Sequence, residues 1–145
     1  MATSRPDGVP DFDRRPTVRI HVGMPEGRNV APLSDAGFRL FVTAICYAGR
    51  EENEGDIPKV ILSRMATKRT AVKELADRGH IVEKDKETWH MPDYLRWNRS
   101  PDEIQSFRDS RQESGELGAH LRWHVPRRVT SKDCRYCFPP AEEAG

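Results

Sequence analysis

Four residues near the C-terminus have the types and the spacing to hold a metal ion. In the stretch GAHLRWHVPRRVTSKDCRYC, His120 and His124 form an H-x3-H pair, and Cys134 and Cys137 form a C-x-x-C pair nine residues further on. Two histidines four apart share one helical face, and two thiolates in a C-x-x-C turn supply the other half of a tetrahedron. The order is reversed from the common zinc finger, but the Cys2His2 ligand set is the same, and the expected cofactor is Zn2+. Arg127, Arg128, Lys132 and Arg135 place positive charge beside the thiols, which favours the thiolate form that binds metal. Four protein ligands leave no position for a catalytic water, so such a zinc is structural. A deaminase-type centre needs H-x-E and P-C-x-x-C, whereas Leu121 and Arg122 follow His120 and Asp133 precedes Cys134. Two other readings stay open: unligated residues in a tail, and a redox C-x-x-C without the fold expected around one.

Elements upstream must carry this segment. Residues 100–116 read as a helix, with Ser100 as cap, Pro101 in the first position and Glu103 closing a capping box. Ile104 and Phe107 stand almost alone as its apolar residues, and Gly115 and Gly118 are expected to break it. Before it lies the stretch around which the main fold is organised, IPKVILSRMATKRTAVKELADRG, residues 57–79. Its spacing predicts two short helices joined by a tight turn. Ile61, Leu62 and Met65 face inward from the first, and Ala71, Val72, Leu75 and Ala76 from the second. Thr67 reads as the N-cap of the second helix and Gly79 as its C′ glycine. The outer face holds Lys68, Arg69, Lys73, Glu74, Asp77 and Arg78. This is the pattern of a helix-turn-helix.

Flanking segments extend the pattern. Residues 17–22, TVRIHV, alternate like a strand, and residues 33–49 read as a helix capped by Ser34 and ended by Gly49. Phe38, Phe41, Val42, Ile45 and Ala48 form its predicted stripe, and Cys46 is expected to be a buried small hydrophobe. Gly55 and Ile57 allow a brief strand. Residues 81–83 and 88–91 read as a hairpin turning at Asp85, Lys86 and Glu87. The predicted core is Phe38, Phe41, Ile45, Ile61, Leu62, Val72, Leu75, Val82 and Trp89, with Tyr94, Leu95 and Trp97 packing back on it. His21, His80 and His90 read as surface or packing residues.

The expected fold class is therefore α+β: a winged helix-turn-helix domain over 17–98, a connecting helix over 99–118 and a zinc-knuckle-like segment over 119–138. Flexible tails are expected at 1–16 and 139–145. The chain has 145 residues and a formal net charge of +1, low for a protein that grips nucleic acid non-specifically over its whole surface. No apolar run is long enough to span a bilayer and the N-terminus lacks a signal-peptide core, so a cytoplasmic protein without a membrane partner is expected.

The segments VRIHVGMPEG, LSDAGFRLFVTAICYAGR, IPKVIL, DYLRWNRSPDEI and HLRWHVPRRVTSKDCRYC together resemble a group of small winged-helix proteins of actinobacteria and their phages. That resemblance implies a DNA-binding domain of the replication-initiator or replisome-organiser kind, in a bacterial host cytoplasm. This chain departs from the group in two places. The segment after the DYLRW exit, RDSRQESGELGAH, is diluted by Asp109, Glu113 and Glu116, and the candidate recognition helix carries Glu74 and Asp77.

Two functions follow as expectations, neither of them enzymatic, because no acid, base and open metal site converge. The first is duplex DNA binding in replication initiation or transcriptional regulation. Lys68, Arg69, Lys73 and Arg78 would lie in the major groove, and Lys84 and Lys86 would touch the backbone from the wing. Arg122, Arg127, Arg128, Lys132 and Arg135 would form a second basic patch. The second is a protein-interaction adaptor, such as a helicase-loading partner in replication or transcription, using the winged helix and the 100–116 helix.

Overall fold

The computed structural model describes residues 16–138. Apart from Pro16, the two expected tails lie outside the described residues. The chain is mixed α+β and separates into two compact units, one up to Pro101 and one from Asp102 onward.

In the first unit the order is α1 (Asp35–Glu51), β1 (Asp56–Pro58), α2 (Lys59–Met65), α3 (Arg69–Asp77), β2 (Val82–Glu83), β3 (Thr88–His90) and α4 (Tyr94–Trp97). The strands form an antiparallel sheet in the order β1-β3-β2, with Ile57 opposite Trp89 and Glu83 also opposite Trp89. The hairpin turns where expected: Asp85 accepts a hydrogen bond from the Glu87 amide at 2.8 Å, and the Lys84 amide donates to the Thr88 carbonyl at 3.0 Å. The Glu87 bond is the largest of the influences that hold the Asp85 carboxyl below its usual range.

Helix α1 starts as its sequence dictates. The Ser34 hydroxyl accepts from the Gly37 amide at 3.1 Å, satisfying one of the orphan donors of the first turn. Gly79 takes φ +76 after α3, a conformation that costs glycine little. The core is built on Leu40, Ile57, Leu62, Leu75 and Ile81, all fully buried, each contributing about 1.5–3 kcal/mol of transfer free energy.

Several local expectations are corrected by packing. Residues 17–22 form no strand, because no partner strand lies alongside; the Arg19 amide instead donates to the Asn98 side chain at 2.7 Å. Gly49 does not end α1. The helix runs two residues further and Glu52 takes the left-handed position at φ 51. Gly49 makes room for Val18, whose Cγ1 would sit 2.1 Å from a Cβ there. The buried face of α1 is Gly37, Leu40, Ala44, Ile45 and Ala48, rotated from the predicted stripe so that small residues meet α3. Phe38 is half-buried as a result, and Cys46 is exposed. Val82 is 43% exposed and lies outside the core, and Leu95 and Trp97 are also exposed while Tyr94 is buried. Burial, followed by the charge of nearby Cys46, pushes the Tyr94 hydroxyl above its usual pKa. Lys68, not Thr67, precedes α3, and it makes no side-chain cap.

The largest correction concerns Glu74. It lies at the edge of the charged α3 face, beside Lys73, Asp77 and Arg78, but is engaged by the start of α1. Its carboxylate accepts from the Ser34 amide at 2.7 Å and from the Ser34 hydroxyl at 2.6 Å, capping α1 from 40 residues away. These bonds, the side-chain one first, hold the Glu74 carboxyl below its ordinary pKa of 4.5. A carboxyl whose pKa is lowered on folding stabilises the fold above its unfolded pKa, and that stability is lost as pH falls through the folded value. Replacing Glu74 with Ala is expected to cost about 1 kcal/mol at neutral pH, less than a buried charged hydrogen bond because the site is partly solvated. Thermal melts should show the gap between variant and wild type closing as pH falls below 4.5. A gap that stays constant down to acid pH would remove Glu74 from this role.

In the second unit α5 covers Pro101–Ala119. Gly115 and Gly118 fall within it, so the expected break is displaced to a widened π-type turn over His120–His124. No helix among the described residues is long and apolar enough to cross a membrane.

Candidate metal centre and charged faces

The second unit has no buried residue among those described. Residues without a hydrophobic core need another source of order, and the His/Cys cluster is the candidate among the described residues. The helix widens where it carries the histidines: the Val125 amide bonds to the His120 carbonyl at 3.2 Å and the Val129 amide to the His124 carbonyl at 3.1 Å, each spanning five residues. Such π-type turns recur at functional sites. Pro126 has no amide with which to continue the helix. Arg128 then takes φ 52 and turns the chain back.

The return brings the thiols against the rings. Cys137 Sγ lies 3.2 Å from His124 Nδ1 and 3.5 Å from His120 Nδ1, and Cys134 Sγ lies 3.5 Å from His120 Nδ1. All four ligand atoms fall within 4.8 Å of one another. One imidazole nitrogen cannot direct a single hydrogen at two sulfurs. A tetrahedral ion with metal–sulfur and metal–nitrogen bonds of about 2.3 and 2.0–2.1 Å spaces a nitrogen and a sulfur about 3.5 Å apart, which is the spacing seen. The four residues lie close together and can bind a metal ion.

Neighbouring contacts fix the ligands. Within the C-x-x-C turn the Cys137 amide bonds to the Cys134 carbonyl at 3.1 Å, and the Cys134 amide bonds to the Ser131 carbonyl at the same distance. Tyr136 reaches the Glu113 carbonyl of α5 at 3.3 Å, and Arg135 pairs with the Glu113 carboxylate at 3.0 Å. The two histidine rings meet edge-on at 5.5 Å between centroids.

The basic residues singled out in the sequence fall into two sets. In the first unit Lys68, Arg69, Lys73 and Arg78 are exposed on or beside α3, and Lys73 pairs with Asp77 at 2.6 Å, one helical turn on. Lys84 is bound to Asp56 of β1, which also bonds His90 Nδ1 at 2.7 Å, so this hairpin lysine is tied to the sheet. Burial opposes ionisation of Asp56, but hydrogen bonds from Lys84 and His90 outweigh it and hold the carboxyl below its usual range. The same bond raises the Lys84 pKa. Lys86 stays exposed at the hairpin tip. In the second unit Arg122, Arg127, Arg128, Lys132 and Arg135 are all exposed around the metal-ligand cluster.

Three features escaped sequence reasoning. The capping role of Glu74 joins residues 40 apart and leaves no local signal. The Arg127 guanidinium lies 4.6 Å from the centroid of the Trp123 ring, a pairing that spacing of four residues on a helix permits but does not identify. A cleft of about 440 Å³ opens in the first unit between the loop carrying His21 and Val30, α1 and α4. His80 forms part of its wall, with its Nε2 2.8 Å from the Asn29 carbonyl and its ring 4.5 Å from that of Phe41.

Comparison with protein-family models, curated proteins and solved structures finds no match.

Proposed function

We propose that the first unit is a winged helix that binds duplex DNA, and that the second is held together by a structural zinc ion. The observation that carries the DNA reading is the outward face of α3. That face presents Lys68, Arg69, Lys73 and Arg78; of the two acids on α3, Lys73 engages Asp77, and Glu74 beside Arg78 is bonded to Ser34. The element order α1-β1-α2-α3-β2-β3 supports the winged-helix reading, since a two-helix turn is followed at once by a hairpin whose sheet β1 completes. In this reading α3 enters the major groove. Lys86 approaches the backbone from the wing, and Lys84 does so only by giving up Asp56. The resemblance to phage-type winged-helix proteins supports a place in replication initiation or transcriptional regulation.

Zinc is favoured for the second unit by the donor set. Two thiolates and two imidazoles in a closed tetrahedral site suit zinc above calcium or magnesium, which take oxygen ligands.

Anisotropy titration of a labelled duplex at several salt concentrations tests the DNA reading. Arg69→Ala is expected to weaken binding between about 5-fold and 150-fold, equivalent to about 1–3 kcal/mol, if it contacts a base edge. If Arg69 contacts a phosphate, its loss flattens the salt dependence by about one ion. Duplex binding that is undetectable at low salt, or unchanged by Arg69→Ala and Lys73→Ala together, would remove α3 as the reader. A protein-interaction adaptor is the second reading. One observation favours it: α5 has no buried residue and exposes Phe107 and Leu117.

A further inference from the structure

The near-neutral charge of the whole chain conceals an uneven distribution. Between Ala119 and Phe138 there are five cations, Arg122, Arg127, Arg128, Lys132 and Arg135, against a single acid, Asp133. A zinc ion bound by two thiolates adds no net charge, so this excess persists in the metal-bound form. Aromatic rings are interleaved with the cations. Trp123 is 48% exposed and Phe138 is 61% exposed. Arg127 lies over the Trp123 ring at 4.6 Å, and Arg135 over the Tyr136 ring at 5.1 Å. An exposed indole costs free energy in water, and here it lies in the sequence between His120 and His124, two of the four clustered metal-ligand candidates.

Resting on the metal reading of the second unit, we propose that residues 119–138 bind single-stranded DNA, with Trp123 as the platform on which a base stacks. Charge complementarity selects a polyanion. The aromatic faces select its form: bases in a duplex are already stacked on one another, and only an unpaired base can lie on Trp123. Arg127 takes the place at the ring that a base edge or its phosphate would share, so the guanidinium can stay over the indole and contact the backbone at once. Arg122, Arg128 and Lys132 then follow the strand without reading its sequence.

The test uses the zinc-loaded full-length protein with three labelled probes: a 20-nucleotide oligothymidylate, an oligouridylate of equal length and a random-sequence duplex. Trp123→Ala is expected to weaken oligothymidylate binding about 5-fold to 150-fold, the range for one base–aromatic stack. It should leave zinc stoichiometry and duplex affinity unchanged. Arg127→Ala serves as a second variant and should weaken the same probe and reduce its salt dependence. Undiminished oligothymidylate binding in both variants, no detectable binding by wild type at low salt, or tighter binding of oligouridylate overturns the proposal. If wild type binds oligothymidylate through Trp123 but does not bind the duplex, the duplex-DNA reading of the first unit falls and this one stands.

Discussion

Replacing Cys137 with Ser is expected to release the metal and unfold the second unit while the first stays folded. Cys137 Sγ approaches both histidine rings, at 3.2 and 3.5 Å, so its loss removes the one sulfur that lies against both imidazoles. No described residue from Asp102 onward is buried, so little apolar burial is left to hold the chain once the ion is gone. Zinc binding to small domains of this kind amounts to about 10–16 kcal/mol at neutral pH, larger than the stability such a unit can gain from packing. Amide NMR spectra should show signals from residues after Pro101 collapsing toward random-coil shifts, in Cys137→Ser and equally in wild type treated with a chelator. Signals from the sheet and α1 should not move. Dispersed second-unit signals in the metal-free protein would show that something other than the metal orders it.

Leu75→Ala is expected to do the reverse. Leu75 is fully buried in the core cluster, on the helix α3 that packs against α1 and α2. Truncating a leucine in such a site costs about 3 kcal/mol, from lost transfer free energy and the cavity left behind. For a domain of this size that lowers the melting temperature by roughly 12–24 °C. Zinc stoichiometry and second-unit NMR signals should be unaffected. Loss of metal in Leu75→Ala would mean that the two units fold as one. Because α3 carries the proposed reading face on one side and Leu75 on the other, the variant should also bind duplex in proportion to the fraction still folded.

The metal-ligand cluster was legible in the sequence because its signal is chemical. Cysteine and histidine are rare, and H-x3-H with C-x-x-C leaves few geometries. Ser34 and Gly79 were legible for a related reason: a cap or a left-handed turn is satisfied by one residue acting locally. Where sequence reasoning failed, a distant partner decided. Residues 17–22 alternate like a strand, but a strand needs an edge to pair with, and Val18 packs on Gly49 instead. Gly49 looks like a helix terminator by local rule and is a packing notch in fact. Gly115 and Gly118 lie in an exposed helix that tolerates them, each at a cost of about 1 kcal/mol against alanine. Glu74 looked like one more acid on a charged face, and only the approach of α1 turns it into a cap.

In the site proposed for the second unit, two imidazoles and two thiolates, which lie close together, hold one tetrahedral zinc ion. X-ray absorption at the zinc edge, on protein purified without chelator, tests it most directly. The expected spectrum has two sulfurs at about 2.3 Å and two nitrogens at about 2.0–2.1 Å, in one ion per chain, lost in Cys137→Ser. A shell of oxygens and nitrogens without sulfur, or protein that carries no metal, would contradict it.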